Sequence, residues 1–85
     1  MTIRVYVDWN DQDESGRVWL HLPGSAEDLE PVRGELKEGM PLVLYWDEED
    51  PDLVHEMDGI LERDGPTGTW MARPVQGTIR HRPKP

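Results

Sequence analysis

An all-β domain, a small antiparallel barrel of five or six strands with one short helical turn, is the fold this sequence predicts. Glycine and proline punctuate the chain at roughly ten-residue intervals, and the stretches between them alternate apolar and polar residues, as half-buried strands do. The scale points the same way. Eighty-five residues make one domain, and a chain of that length withdraws only roughly 60–65% of its extended surface from water on folding. With 35% hydrophobic residues, four tryptophans and no phenylalanine, a few large rings must supply much of the buried area. Residues 1–82 are expected to form the domain and 83–85 a basic, proline-bearing tail.

The first strand is "TIRVYVDW", with Ile3, Val5, Val7 and Trp9 on one face and Arg4, Tyr6 and Asp8 on the other. "RVWLHL" repeats the pattern: Val18, Leu20 and Leu22 oppose Trp19 and His21. Between them "DQDESG" reads as a hairpin loop of turn formers. "LPGS" predicts a type II turn at Pro23-Gly24, and Ser25 with Asp28 predicts a capped helical stub over "SAEDLE", stopped by Pro31. "PLVLYWD" is the third strand, with Pro41 at its first position, where a missing N–H does least harm. Leu42, Leu44 and Trp46 share one face and Val43 and Tyr45 the other. "LVHEMDGILERD" admits a hairpin at Asp58-Gly59 or one long strand kinked by a glycine bulge. The long strand is preferred, because hairpin arms would be very short and another turn, "RDGPTG", follows at once. "TWMAR" and "GTIRHR" complete the set, separated by the turn "PVQG". A barrel accommodates so many short strands with fewer exposed edges than an open sheet.

The stretch "GTWMARPVQGTIRH" resembles the end of an SH3-like barrel, where a strand bearing Trp-x-Ala leads through a proline-containing tight turn into a last short strand. The likeness covers the last third of the chain and implies the fold alone, not a ligand.

Net charge is −9, and its distribution is uneven. Residues 1–65 hold all 18 acids and five of the nine lysines and arginines, a sum of −13; residues 66–85 hold the other four and no acid, a sum of +4. An acidic body of this kind repels phosphate backbones, so nucleic acid is not the expected partner. There is no cysteine, which excludes disulfides and thiolate metal sites. The amino-terminal stretch lacks the pattern of a signal peptide and no apolar run approaches the length of a membrane span, so a cytoplasmic protein without membrane contact is expected.

The features that remain favour a non-catalytic protein-interaction module. Tyr6, Trp19 and Tyr45 fall on faces opposite the aliphatic core, and the acids Asp47, Glu48, Glu49, Asp50 and Asp52 crowd one turn. Rings beside carboxylates suit a basic or proline-rich protein segment, the aromatics supplying area and the acids selecting cations. The chain carries one such segment itself: "RHRPKP", residues 80–85, could fold back on its own domain or reach a second copy. The alternatives are a calcium-responsive loop using Asp11, Asp13 and Ser15, whose spacing matches the start of a calcium loop but lacks its closing glutamate, and an acidic protein that imitates nucleic acid. No cofactor is expected. His21, His55 and His81 fall on three separate strands with no carboxylate spacing to tie them together, and the hydroxyls sit mostly in turns without a nucleophile elbow. A chain this small also predicts little room for a substrate cleft.

Overall fold

The computed structural model describes residues 2–47 and 52–83. Six strands form one sheet: β1 (Ile3–Tyr6), β2 (Val18–Trp19), β3 (Pro41–Asp47), β4 (Leu53–Arg63), β5 (Trp70–Pro74) and β6 (Arg80–Pro83). Helix α1 (Pro23–Leu29) runs directly into a 3₁₀ segment (Glu30–Glu35) between β2 and β3. Strands dominate, so the all-β expectation holds at that level. Val43, His55 and Met71 all lie in strands.

The alternation read from the sequence places the core correctly. Ile3, Val5, Val7, Val18, Leu20, Leu42, Leu44 and Trp46 are all buried, and with Leu29, Met57, Leu61 and Ala72 they form one cluster. Trp9, Val32, Leu36, Met40 and Trp70 pack around it. Burying a Val or Leu side chain contributes roughly 1.5–3 kcal/mol, so this single cluster is the main source of stability.

Three expectations are corrected. The sheet is mixed rather than antiparallel, because β1 pairs parallel to β3, with Ile3 opposite Leu42 and Tyr6 opposite Tyr45. A parallel pair needs a long crossover, and the segment containing β2 and α1 provides it. The sheet is also not closed: its path runs β1-β3-β4-β5-β2, with β6 beside β4, leaving β1 and β2 at its two ends. In consequence "DQDESG" joins no paired β1–β2 hairpin; it closes locally through a bridge from Gln12 to Val18, while β2 pairs β5.

The third correction concerns α1. Pro23 opens the helix instead of a turn, and Gly24 has no positive φ. Proline suits a first helical position because its fixed φ matches and its missing N–H would have had no helical partner. No side chain caps the helix. Ser25 is instead buried and donates to the Tyr6 carbonyl at 2.5 Å, and Asp28 Oδ2 accepts from the Tyr6 N–H at 3.0 Å. The two polar residues that look like a cap in the sequence thus satisfy the edge of β1, where unmatched backbone groups would invite another strand. Pro31 does not stop the helical path, which continues as the 3₁₀ segment.

Strand β4 is the axis of the sheet. It pairs with β3 in one unbroken register from Leu53's neighbour Val54, opposite Asp47, to Ile60, opposite Pro41. The long strand is therefore correct and the bulge is not. Gly59 answers a different need: a Cβ there would lie 2.8 Å from Leu44 Cδ1, so glycine lets the Leu44 side chain cross β4. Along its other edge β4 pairs first with β6, over Leu53–Glu56, and then with β5, over Gly59–Arg63. Between these, Val75 donates to the Asp58 carbonyl and Asp58 N–H donates to Thr78 Oγ1, so the "PVQG" turn leaves the sheet without orphaning β4.

Candidate functional site

The residues expected to make an aromatic platform separate into two places. Tyr6 and Tyr45 are register partners on β1 and β3 and meet edge to face, with centroids 5.9 Å apart. Trp19 lies on β2, at the other end of the sheet, stacked with His21. Nor is the Tyr45 ring open on all sides. The Arg4 guanidinium lies over it at 4.8 Å, and its hydroxyl donates to Asp28 Oδ2 at 2.6 Å. Burial pushes the Tyr45 phenol up to about 12, and the hydrogen bond and charge of Asp28 add to that push. Of the acids in the turn, Asp47 and Asp52 are exposed. Glu48, Glu49 and Asp50 lie outside the described residues.

The loop of Asp11, Asp13 and Ser15 turns its oxygens inward. Asp13 Oδ1 accepts from Ser15 N–H at 2.9 Å, Ser15 Oγ at 2.8 Å and Arg17 N–H at 2.9 Å, while Oδ2 accepts from Arg17 Nε at 2.8 Å. Partial desolvation would raise this carboxyl, but the Ser15 hydroxyl, the Arg17 guanidinium and the two N–H groups outweigh it and bring it down to about 2. Arginine occupies the position a cation would take. Asp11 points elsewhere: its buried Oδ2 lies 2.9 Å from His21 Nε2 and accepts no hydrogen bond among the described residues. Arg17 also reaches Glu62 at 3.4 Å and Asp64 at 3.6 Å. Glu62 in turn holds Arg73 at 2.7 Å, and that hydrogen bond, more than any other contact, holds its carboxyl below the usual range. Among the described residues no group of three or more His, Asp or Glu is arranged to hold a metal ion.

A different cluster dominates the outer face of the sheet. Register fixes which side chains share that face: Arg4 beside Val43, Val43 beside Asp58, Tyr45 beside Glu56, Glu56 beside Arg80, and Val54 beside Arg82. Glu56 is only 4% exposed, and three guanidiniums converge on its carboxylate. Arg4 Nη2 donates to Oε2 at 2.7 Å, and Arg82 Nε and Arg80 Nε lie 2.7 and 3.3 Å from Oε1. Arg80 also spans to Asp58 Oδ1 at 3.1 Å. Arg4 and Arg82 keep 50% and 61% of their side chains exposed, so donors beyond those used by Glu56 face solvent.

These guanidiniums rim a groove of about 910 Å³ with an apolar floor that includes Val43, Val54, Ile60 and Val75. The expectation of too little room for a cleft is thus corrected, because the space lies on an open sheet face rather than inside a barrel. Among the described residues its lining has no Ser, Cys or His; Thr2 supplies a hydroxyl at the rim. The cluster was not singled out from the sequence. The available signal was the shared spacing of Val54, Glu56 and Asp58 on one strand and Arg80 and Arg82 on another, opposite charges at period two.

The tail that looked like a candidate ligand is part of this construction: Arg80 to Pro83 form β6 on the chain's own β4, with Arg80 and Arg82 engaged by Glu56. Lys84 and Pro85 lie outside the described residues. No helix among the described residues is long and apolar enough to cross a membrane. No family model, curated protein or solved structure matches this chain.

Proposed function

We propose that the chain is a non-catalytic protein-interaction module whose contact surface is the groove across β1, β3, β4 and β6, and that it takes an extended segment presenting apolar side chains and a carboxylate. The observation that carries this reading is the pairing of an apolar floor with three guanidiniums whose shared counter-ion, Glu56, is already buried. A second carboxylate arriving at Arg4 or Arg82 would find planar donors held in place by the first, so little side-chain freedom is lost on binding. The overall charge of −9 does not oppose this, since the Debye length is about 8 Å in physiological salt and the rim arginines are nearer the ligand than most of the acids.

The basic or proline-rich partner keeps one supporting observation. The Arg4 guanidinium lies over the Tyr45 ring, a position that a ligand arginine could take in its place. Titrating isotope-labelled protein with an apolar-acidic peptide and, separately, with a proline-rich basic peptide distinguishes the two readings. The groove reading expects the acidic peptide to shift the amides of Arg4, Val43, Ile60 and Arg82, and Arg82→Gln to weaken it about tenfold, the loss of a charged hydrogen bond. Binding of only the basic peptide, with shifts centred on Tyr6 and Tyr45, overturns it in favour of the aromatic face.

A further inference from the structure

The sequence places the three histidines on separate strands; the structure brings two of them together. His55 on β4 and His81 on β6 are direct register partners, their rings meet edge to face with centroids 4.4 Å apart, and their Nδ1 atoms are in hydrogen-bond contact. We propose that His55 and His81 form a two-imidazole site for an imidazole-seeking divalent transition-metal cation, with Cu²⁺ bound most tightly.

Three features support a site rather than a chance contact. Two good metal ligands on directly opposed strand residues aim their Nδ1 atoms at one point, so a cation placed between them has two nitrogens already converging on it. A metal–nitrogen bond of about 2.0–2.1 Å allows two ligand nitrogens to lie at most roughly 4 Å apart, which directly opposed strand residues achieve through small ring rotations. The second feature is support from behind. The Trp46 ring stacks on His55 with centroids 5.7 Å apart and planes 19° from parallel, and Trp46 is itself braced edge to face by Trp9 at 5.1 Å. Trp46 is 8% exposed, so the His55 ring rests on a fixed wall. The third is access: His81 is exposed and His55 half-buried, so a cation can reach the pair from solvent. Imidazole pairs favour metals in the order that peaks at Cu²⁺, and a net charge of −9 draws cations to the protein.

The stacked Trp46 gives a direct readout, since Cu²⁺ quenches a nearby indole. Titration of the intact protein with Cu²⁺ is expected to quench tryptophan emission and saturate at one equivalent, with recovery on adding chelator. His81→Gln, at an exposed position, and His55→Gln should each weaken this binding about tenfold or more. His21→Gln, which alters the histidine beside Asp11, should leave it unchanged. Circular dichroism of each variant confirms that the sheet persists. Absence of saturable quenching, or wild-type affinity in His81→Gln, overturns the site; so does loss of binding in His21→Gln alone.

Discussion

Arg82 Nε lies 2.7 Å from Glu56 Oε1, so the basic end of the chain is fastened to a carboxylate that the sheet buries. Removing that carboxylate should loosen β6 before it affects the core, because among the described residues β6 pairs with β4 alone. Glu56→Gln is expected to lower stability by about 1–3 kcal/mol, the range for losing charged hydrogen bonds at a buried group, moderated by the exposure of the arginines. A thermal melt should register this as a fall of roughly 4–8 °C per kcal/mol.

Gly59 and Leu44 give a steric prediction. An added Cβ at residue 59 meets Leu44 Cδ1 at 2.8 Å and Cγ at 2.9 Å. Gly59→Ala should therefore cost roughly 1–3 kcal/mol through overpacking, although alanine fits a strand backbone better than glycine does. A double variant with Leu44→Val should recover part of the loss in urea denaturation.

Tyr45 predicts an alkaline limit. Its phenol is raised from 10.0 to about 12, chiefly by burial and then by Asp28, so the folded state holds the proton more tightly than the unfolded chain. The stability this contributes is complete below about pH 10 and is lost as pH rises through about 12. Unfolding midpoints measured across that window should fall with pH, and Tyr45→Phe should flatten the slope.

Asp13 predicts the acid side, with the opposite sign. Its carboxyl is lowered from 3.8 to about 2, so the stability it contributes is present above about pH 3.8 and disappears as pH falls through about 2. The same contacts bear on calcium. With both Asp13 oxygens accepting from its own loop and from Arg17, millimolar Ca²⁺ should leave the melting midpoint unmoved; an upward shift would show that the loop can exchange Arg17 for the ion.

Alternation made one level of this structure legible and left the next hidden. Period two states which side chains share a face, and so it identified Val5, Leu44 and Trp46 as interior and kept β4 in one piece. It does not state which strands are neighbours. Tyr6 and Trp19 both oppose the core in their own strands, yet they stand toward opposite ends of the sheet. Pro23 was opaque for another reason: the same fixed φ serves a turn and a first helical residue, and only the packing of α1 on β1 decides between them. The arginine cluster on Glu56 depends on a β4–β6 pairing between residues far apart in sequence, which no local pattern encodes.

The parallel pairing of β1 with β3 also bears on the order of assembly. The β3–β4 ribbon joins segments adjacent in sequence, whereas β1 must wait for the whole crossover to arrive before its hydrogen bonds can form, and closing that larger loop costs more entropy. Nucleation therefore belongs to the middle of the chain. Amide protons of Val5 should exchange with solvent sooner than those of Leu44, making the leading strand the last to lock and the first to open.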